Sequence, residues 1–125
     1  MRHGATLVAF VSSTDLDRAR AFYVDILGLV ELETTPFALV LDGLGTTLRV
    51  TKADNVTAAP YTVLGWDVAD LDVTIDDLTA RGASFVRYDG MPQDDRGAWQ
   101  SPSGTRVAWF RDPDGNTLSV QQHPA

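Results

Sequence analysis

The stretch "RDPDGNTLSV", Arg111 to Val120, holds a tight turn that runs into a strand. Pro113 presets φ near −65°, and Gly115 allows the positive φ that closing the turn requires. After the turn, Leu118 and Val120 alternate with Thr117 and Ser119. That period of two predicts a strand over Asn116–Gln122 with one apolar and one small polar face. The polar face is built from hydroxyls and an amide, not from carboxylates or imidazoles.

The residues upstream place this strand in a unit. Thr105–Arg111 reads as its hairpin partner, and "DGMPQDDRG" (Asp89–Gly97) as a long polar loop. Ser84–Tyr88 and Tyr61–Val68 read as strands. Between them "DLDVTIDDLTARG" places Leu71, Ile75 and Leu78 at helical spacing, with Gly82 as the stop. The N-terminal half repeats the plan. Thr6–Val11 reads as a buried strand. Thr14 is a candidate helix cap, with Asp15 and Asp17 in the first turn. Leu16, Ala19, Tyr23, Ile26 and Leu27 form the apolar stripe, and Gly28 ends the helix. Strands are predicted at Val30–Thr34, Phe37–Asp42 and Thr46–Thr51, with "DGLG" turning between the last two. "DLD" at Asp15–Asp17 recurs at Asp70–Asp72. The order is β-α-β-β-β twice: module 1 over about 6–51, a polar linker over 52–60, and module 2 over about 61–122. Either unit alone exposes a sheet face, so the two should act as one domain over 1–125.

Composition narrows the function classes. The 125 residues carry 17 acids and 10 bases, a formal charge of −7, which makes nucleic acid a poor partner because phosphate contacts need a basic face. The same field favours a cationic small molecule and keeps the chain soluble. Folding a chain of this mass should bury about 13,000 Å², enough for a core without staples. There is no cysteine, so disulfides, thiolate zinc sites and thiol catalysis are excluded, and a cytoplasmic location fits. No apolar run approaches the roughly 18 residues of a membrane span, and no leader-like segment opens the chain.

"DLDRARAFYVDILGL" (Asp15–Leu29), "WDVADLD" (Trp66–Asp72) and "FRDPDGNTLSV" (Phe110–Val120) resemble the vicinal oxygen chelate superfamily, which includes glyoxalase I, extradiol dioxygenases and the bleomycin and fosfomycin resistance proteins. The resemblance runs from about Thr6 to Gln122. It implies an α+β fold of two β-α-β-β-β modules forming curved mixed sheets around a cavity, often across a homodimer. One face of each sheet would pack on its helix and the other would line the cavity. Leu7, Ala9 and Val11 then face the first helix, and Leu118 and Val120 the second.

Metal-dependent members of that superfamily place ligands on the first and last strands of each module. The matching positions here fall on Thr6 or Val8, on Thr47, Arg49 or Thr51, on Val63, and on Ser119. Valine cannot coordinate, a neutral hydroxyl is weak, and arginine repels a cation. A one-residue slip brings in no His or Glu. No metal and no cofactor are expected. Gln121 and His123 share the parity of Ser119 and are the residues that could support an unusual metal site. His3 reads as part of an N-terminal tail.

The remaining cavity-side candidates are Phe10, Trp99 and Trp109 as aromatic walls, and Arg49, Asp67, Ser119 and Gln121 as polar groups. Trp66 reads as core. Aromatic walls with a few fixed polar groups describe a small-molecule pocket. Arg49 and Asp67 pair with each other, await a ligand, or meet water at strand ends. No nucleophile elbow, phosphate loop or dinucleotide fingerprint is present. The expected function is binding of a small organic molecule, cationic or aromatic, without metal. Two alternatives stand: an enzyme of the same superfamily, and a partner-binding module with a collapsed cavity. A homodimer is expected on the family resemblance and because sheet edges need cover.

Overall fold

The computed structural model describes all residues, 1–125. The chain divides into two compact units, Met1–Thr57 and Ala58–Ala125. No helix is long and apolar enough to cross a membrane.

The first unit contains β1 (Val8–Ser13), α1 (Leu16–Arg20), β2 (Val30–Thr34), β3 (Ala38–Asp42) and β4 (Thr47–Lys52). Its sheet has the order β1-β4-β3-β2. β1 lies parallel to β4, and the other pairs are antiparallel. The second unit contains β5 (Thr62–Asp67), α2 (Leu71–Ala80), β6 (Trp99–Gln100), β7 (Arg106–Arg111) and β8 (Thr117–Gln122). Its order, β5-β8-β7-β6, is the same topology, again with a parallel pair between first and last strands. The parallel pair requires a crossover, and each helix supplies it while covering one sheet face.

Both helices begin at the first Asp of a DLD. Asp15 Oδ1 accepts from the backbone N–H groups of Asp17 and Arg18 at 3.0 and 3.1 Å, so Asp15, not Thr14, is the cap. The Thr14 hydroxyl accepts instead from Arg18. Asp70 caps α2 through the N–H of Val73. Beyond Arg20 the first helix widens into a π-helical turn, Ala21–Ile26, with the N–H of Leu27 reaching the carbonyl of Phe22. The wider turn brings the consecutive residues Phe22 and Tyr23 both into the core, their rings edge-on at 5.0 Å. Periodicity of 3.6 selected Tyr23 and missed Phe22. Gly28, at φ +78°, closes the helix, and the Leu29 N–H bonds to the Tyr23 carbonyl.

Beneath the first helix lie Val11, Leu39, Leu41, Leu48 and Val50; beneath α2 lie Ala108, Phe110, Leu118 and Val120, with Leu71, Ile75 and Leu78 facing them from the helix. Leu7 corrects the expected strand start: it precedes β1 and is exposed. Ser13, at the other end of β1, is buried because its hydroxyl bonds the backbone of Asp15. The opening stretch also gains a feature. Thr117 and Ser119 are 4% and 5% exposed, nearly as buried as Leu118 and Val120, because β8 is a central strand.

The expected strand Ser84–Tyr88 does not form as a regular element. It makes one bridge, Phe85 to Phe110, and one bond from the Val86 N–H to the Trp109 carbonyl. The Gln93 side chain takes two more of its backbone groups, accepting from Tyr88 N–H at 2.7 Å and donating to the carbonyl of Val86, and it also donates to the carbonyl of Gly97. The edge position passes to β6, drawn from just beyond the predicted loop, which pairs with Arg106 and Val107. Asp94 ties that loop: its Oδ1 accepts from the N–H groups of Arg96 and Ala98, both at 2.9 Å, and its Oδ2 from Arg106.

Candidate functional site

Each sheet has a face that its helix does not cover. Register assigns the side chains on the second sheet's uncovered face. Val107 pairs with Trp99 and with Gln121, and Gln121 pairs with Asp67; Trp109 pairs with Ser119, and Ser119 with Gly65. Five residues singled out from the sequence, Asp67, Trp99, Trp109, Ser119 and Gln121, therefore share one surface. Trp66, between Gly65 and Asp67 in sequence, points the other way beside Val120.

The β6–β7 side of this surface is aromatic. The indoles of Trp99 and Trp109 lie 6.2 Å apart, and Tyr88 stands edge-on to Trp109 at 5.6 Å. Trp109 Nε1 donates to the Thr62 hydroxyl at 3.1 Å, which fixes its ring against the first strand of the sheet. The β5–β8 side is a polar chain. The Ser119 hydroxyl donates to Gln121 Oε1 at 2.8 Å; Gln121 Nε2 donates to Asp67 Oδ1 at 2.9 Å. His123 Nε2 meets the same Oδ1 at 2.9 Å, and its Nδ1 lies 3.1 Å from the Thr105 hydroxyl. An ionised carboxylate only accepts, so Nε2 carries the proton, and in the neutral ring Thr105 donates to Nδ1. The Gln121 amide, and then His123, hold the Asp67 carboxyl below its usual value. Both donors use one oxygen, leaving Oδ2 open.

Gly65 makes room for this chain. A Cβ there would stand 2.6 Å from Ser119 Oγ and 3.2 Å from the Gln121 amide atoms. Sequence reasoning did not select Gly65, Tyr88 or Thr105. Gly65 carried a signal, a glycine between Leu64 and Trp66 inside a strand, which marks close approach of another group. Tyr88 and Thr105 carried none.

On the first sheet, Phe10 and Arg49 are direct register partners on the uncovered face. Phe10 is 61% exposed, and Arg49 is half-buried. Arg49 forms no ion pair with a carboxylate of its own module, and Asp67 Oδ1 is bonded within its own sheet. The side chains at the family's ligand positions are also fixed in place. Val8 and Arg49 are on the first sheet's open face, and Val63 is the bulged residue of β5. Ser119 spends its hydroxyl proton on Gln121. No three His, Asp or Glu side chains converge where they could hold an ion.

Two mixed β-α-β-β-β sheets of identical topology define a class of paired-module proteins. The chain belongs to the glyoxalase/bleomycin resistance protein/dioxygenase superfamily, whose family model matches residues 6–120. No curated protein sequence matches it. Among solved structures it is similar to a glyoxalase/bleomycin resistance protein/dioxygenase from Alicyclobacillus acidocaldarius, with 22% identity, TM-score 0.75, and coverage of 100% of this chain and 96% of that one. It is similar to TioX from Micromonospora sp. ML1, at 26% identity and TM-score 0.72, covering 97% and 100%. It is also similar to lactoylglutathione lyase from Agrobacterium tumefaciens, at 19% identity and TM-score 0.69, covering 98% and 96%.

Proposed function

We propose that the chain is a small-molecule-binding member of this superfamily that works without a metal ion, and that the uncovered face of the second sheet is its binding surface. The observation that carries the reading is an aromatic wall and a carboxylate on one sheet face, the carboxylate having only one oxygen bonded to its own sheet. A flat ring stacking on Trp109 and Trp99 would gain about 0.5–2 kcal/mol beyond area burial, more if it is cationic. A positive group at the end of an arm spanning the roughly 10 Å of two strand spacings from β7 to β5 would meet Asp67. The ligand class is a planar aromatic cation, in keeping with the charge of −7. The family's ligand positions, filled by valine, hydroxyls and an arginine, do not fit a divalent cation.

A second reading, proton transfer by an enzyme, draws on the His123–Asp67 contact. The geometry favours binding over it. Both ring nitrogens of His123 have partners, and a carboxyl held below its usual value is a weak base.

The test is intrinsic fluorescence, because all three tryptophans, Trp66, Trp99 and Trp109, belong to the second module. Acridines carrying a cationic side arm should bind saturably. Trp109→Ala should weaken binding at least tenfold, and Asp67→Asn should abolish the preference for cationic over neutral rings. Absence of saturable binding across such compounds, or equal binding by Trp109→Ala, refutes the proposal. Turnover abolished by His123→Ala would favour the enzyme reading. The expected homodimer belongs to the same proposal and is tested by sedimentation below.

A further inference from the structure

We propose that the chain carries a self-modification site at Asp89–Gly90, where the main chain isomerises to isoaspartate without an enzyme. The sequence has three Asp-Gly pairs, Asp42–Gly43, Asp89–Gly90 and Asp114–Gly115. All three share one intrinsic reactivity, because glycine has no Cβ to shield its amide nitrogen. The fold separates them.

In two pairs the attacking nitrogen is held. The Gly43 N–H donates to the Thr46 carbonyl at 2.8 Å, and Asp42 Oδ1 accepts from the N–H groups of Leu44 and Gly45. The Gly115 N–H donates to the Asp112 carbonyl at 3.0 Å, and the Asp114 N–H donates to Asp112 Oδ1. Asp89–Gly90 is built differently. The Gly90 N–H makes no hydrogen bond, and both residues are exposed. A Cβ on Gly90 would meet nothing within 4 Å, so no neighbour obstructs rotation of that peptide. Gly90, at φ +78°, is the third residue of a turn closed by one bond, from the Met91 N–H to the Tyr88 carbonyl at 3.2 Å. Breaking that bond frees the turn locally, without unfolding the module.

The Gly90 amide nitrogen then attacks Cγ of the protonated Asp89 carboxyl. An N–C bond forms and the C–OH bond breaks, and the N–H proton and the hydroxyl leave as one water. The product is a cyclic succinimide, which solvent water opens. Attack at Cγ restores aspartate. Attack at the main-chain carbonyl leaves the chain running through Cβ and Cγ, with the α-carboxylate free. Water lost is water regained, and nothing is oxidised or reduced. The main chain becomes one carbon longer between Tyr88 and Gln93, whose side chain accepts from the Tyr88 N–H at 2.7 Å.

The test is peptide mapping of the full chain after several weeks of warming at neutral pH, beside a portion kept unfolded in guanidinium chloride. Trypsin puts the three pairs in separate peptides, Ala21–Arg49, Tyr88–Arg96 and Asp112–Ala125. Electron-transfer fragmentation distinguishes isoaspartate from aspartate in each. In the folded chain isoaspartate should accumulate at Asp89 at least tenfold faster than at Asp42 or Asp114, and in the unfolded portion the three rates should converge. Asp89→Glu disfavours the ring and should stop the reaction, whereas Asp89→Asn supplies a better leaving group and should quicken it. Asp89 is exposed, so both variants should keep the wild-type melting temperature. Equal accumulation at the three pairs in the folded chain, or the same ranking folded and unfolded, overturns the proposal. So does a folded sample with no isoaspartate at Asp89 when its unfolded portion has formed it. The readout needs no ligand, so its outcome is independent of the binding test above.

Discussion

Replacing Asp112 should cost the second module a large part of its stability, in a graded way. Asp112 is 6% exposed and organises the β7–β8 turn. Its Oδ1 accepts from the N–H groups of Asp114 and Asn116 at 3.0 and 2.9 Å, and its Oδ2 from the Asn116 amide at 2.8 Å. A bond to a charged acceptor contributes about 1.5–3 kcal/mol, and a buried donor left alone costs about 1–3 kcal/mol. Asp112→Ala removes all three and strands the Asn116 N–H, while water can reach Asp114. The expected loss is about 3–5 kcal/mol, against total stabilities of about 5–15 kcal/mol. Asp112→Asn keeps the two bonds at Oδ1 and sets one NH₂ against another, so about 1.5–2.5 kcal/mol is expected. Urea unfolding followed by tryptophan fluorescence reads this module directly. With a slope of about 1–3 kcal/mol/M, the alanine midpoint should fall by about 2 M. An alanine variant within about 1 kcal/mol of wild type, or an asparagine variant as unstable as the alanine, would show that the carboxylate does not hold the turn.

Three further outcomes are expected. Gly65→Ala should push the Ser119 hydroxyl off Gln121, lowering stability by about 1–2 kcal/mol and weakening aromatic cation binding, and Ser119→Ala in the same chain should restore part of the stability; additive losses in the double variant would contradict the close approach. Burial pushes the Asp94 carboxyl up, but the N–H groups of Ala98 and Arg96 and the Arg106 guanidinium outweigh it and hold its pKa below the usual value. A lowered folded-state pKa stabilises above about pH 4 and is lost as pH falls through the depressed value, so Asp94→Asn should flatten the acid limb of the urea midpoint between about pH 5 and 2; an unchanged limb would refute that role. At micromolar concentration, sedimentation should give about twice the chain mass of 13.6 kDa; a monomer alone would exclude the dimer.

The fold was legible because its signals are local and repeated. Two DLD caps, two glycine stops and period-two strands on either side determine a β-α-β-β-β order twice. Alternation along Arg106–Arg111 and Thr117–Gln122 also put Trp109 and Ser119 on one face. The misses are non-local. Ser84–Tyr88 has strand composition, but an amide further along the chain, Gln93, takes its backbone groups. Phe22 enters the core only because the helix widens, which a fixed period cannot show. The sequence showed that Asp67 shares parity with Gln121, but not that Gln121 and His123 converge on one of its oxygens.

In both sheets the strand made last sits inside, between the strand made first and its own hairpin partner. Thr62 waits for Thr117, and Asp67 for Gln121, so β5 stays unpaired until β8 is made, while β6 can already pair with β7. The first module has all its strands by Lys52, and it can close while the rest of the chain is still being made. β8 thus acts as a keystone: until it is made, the second sheet stays open along β5, while the first already has its full set of strands.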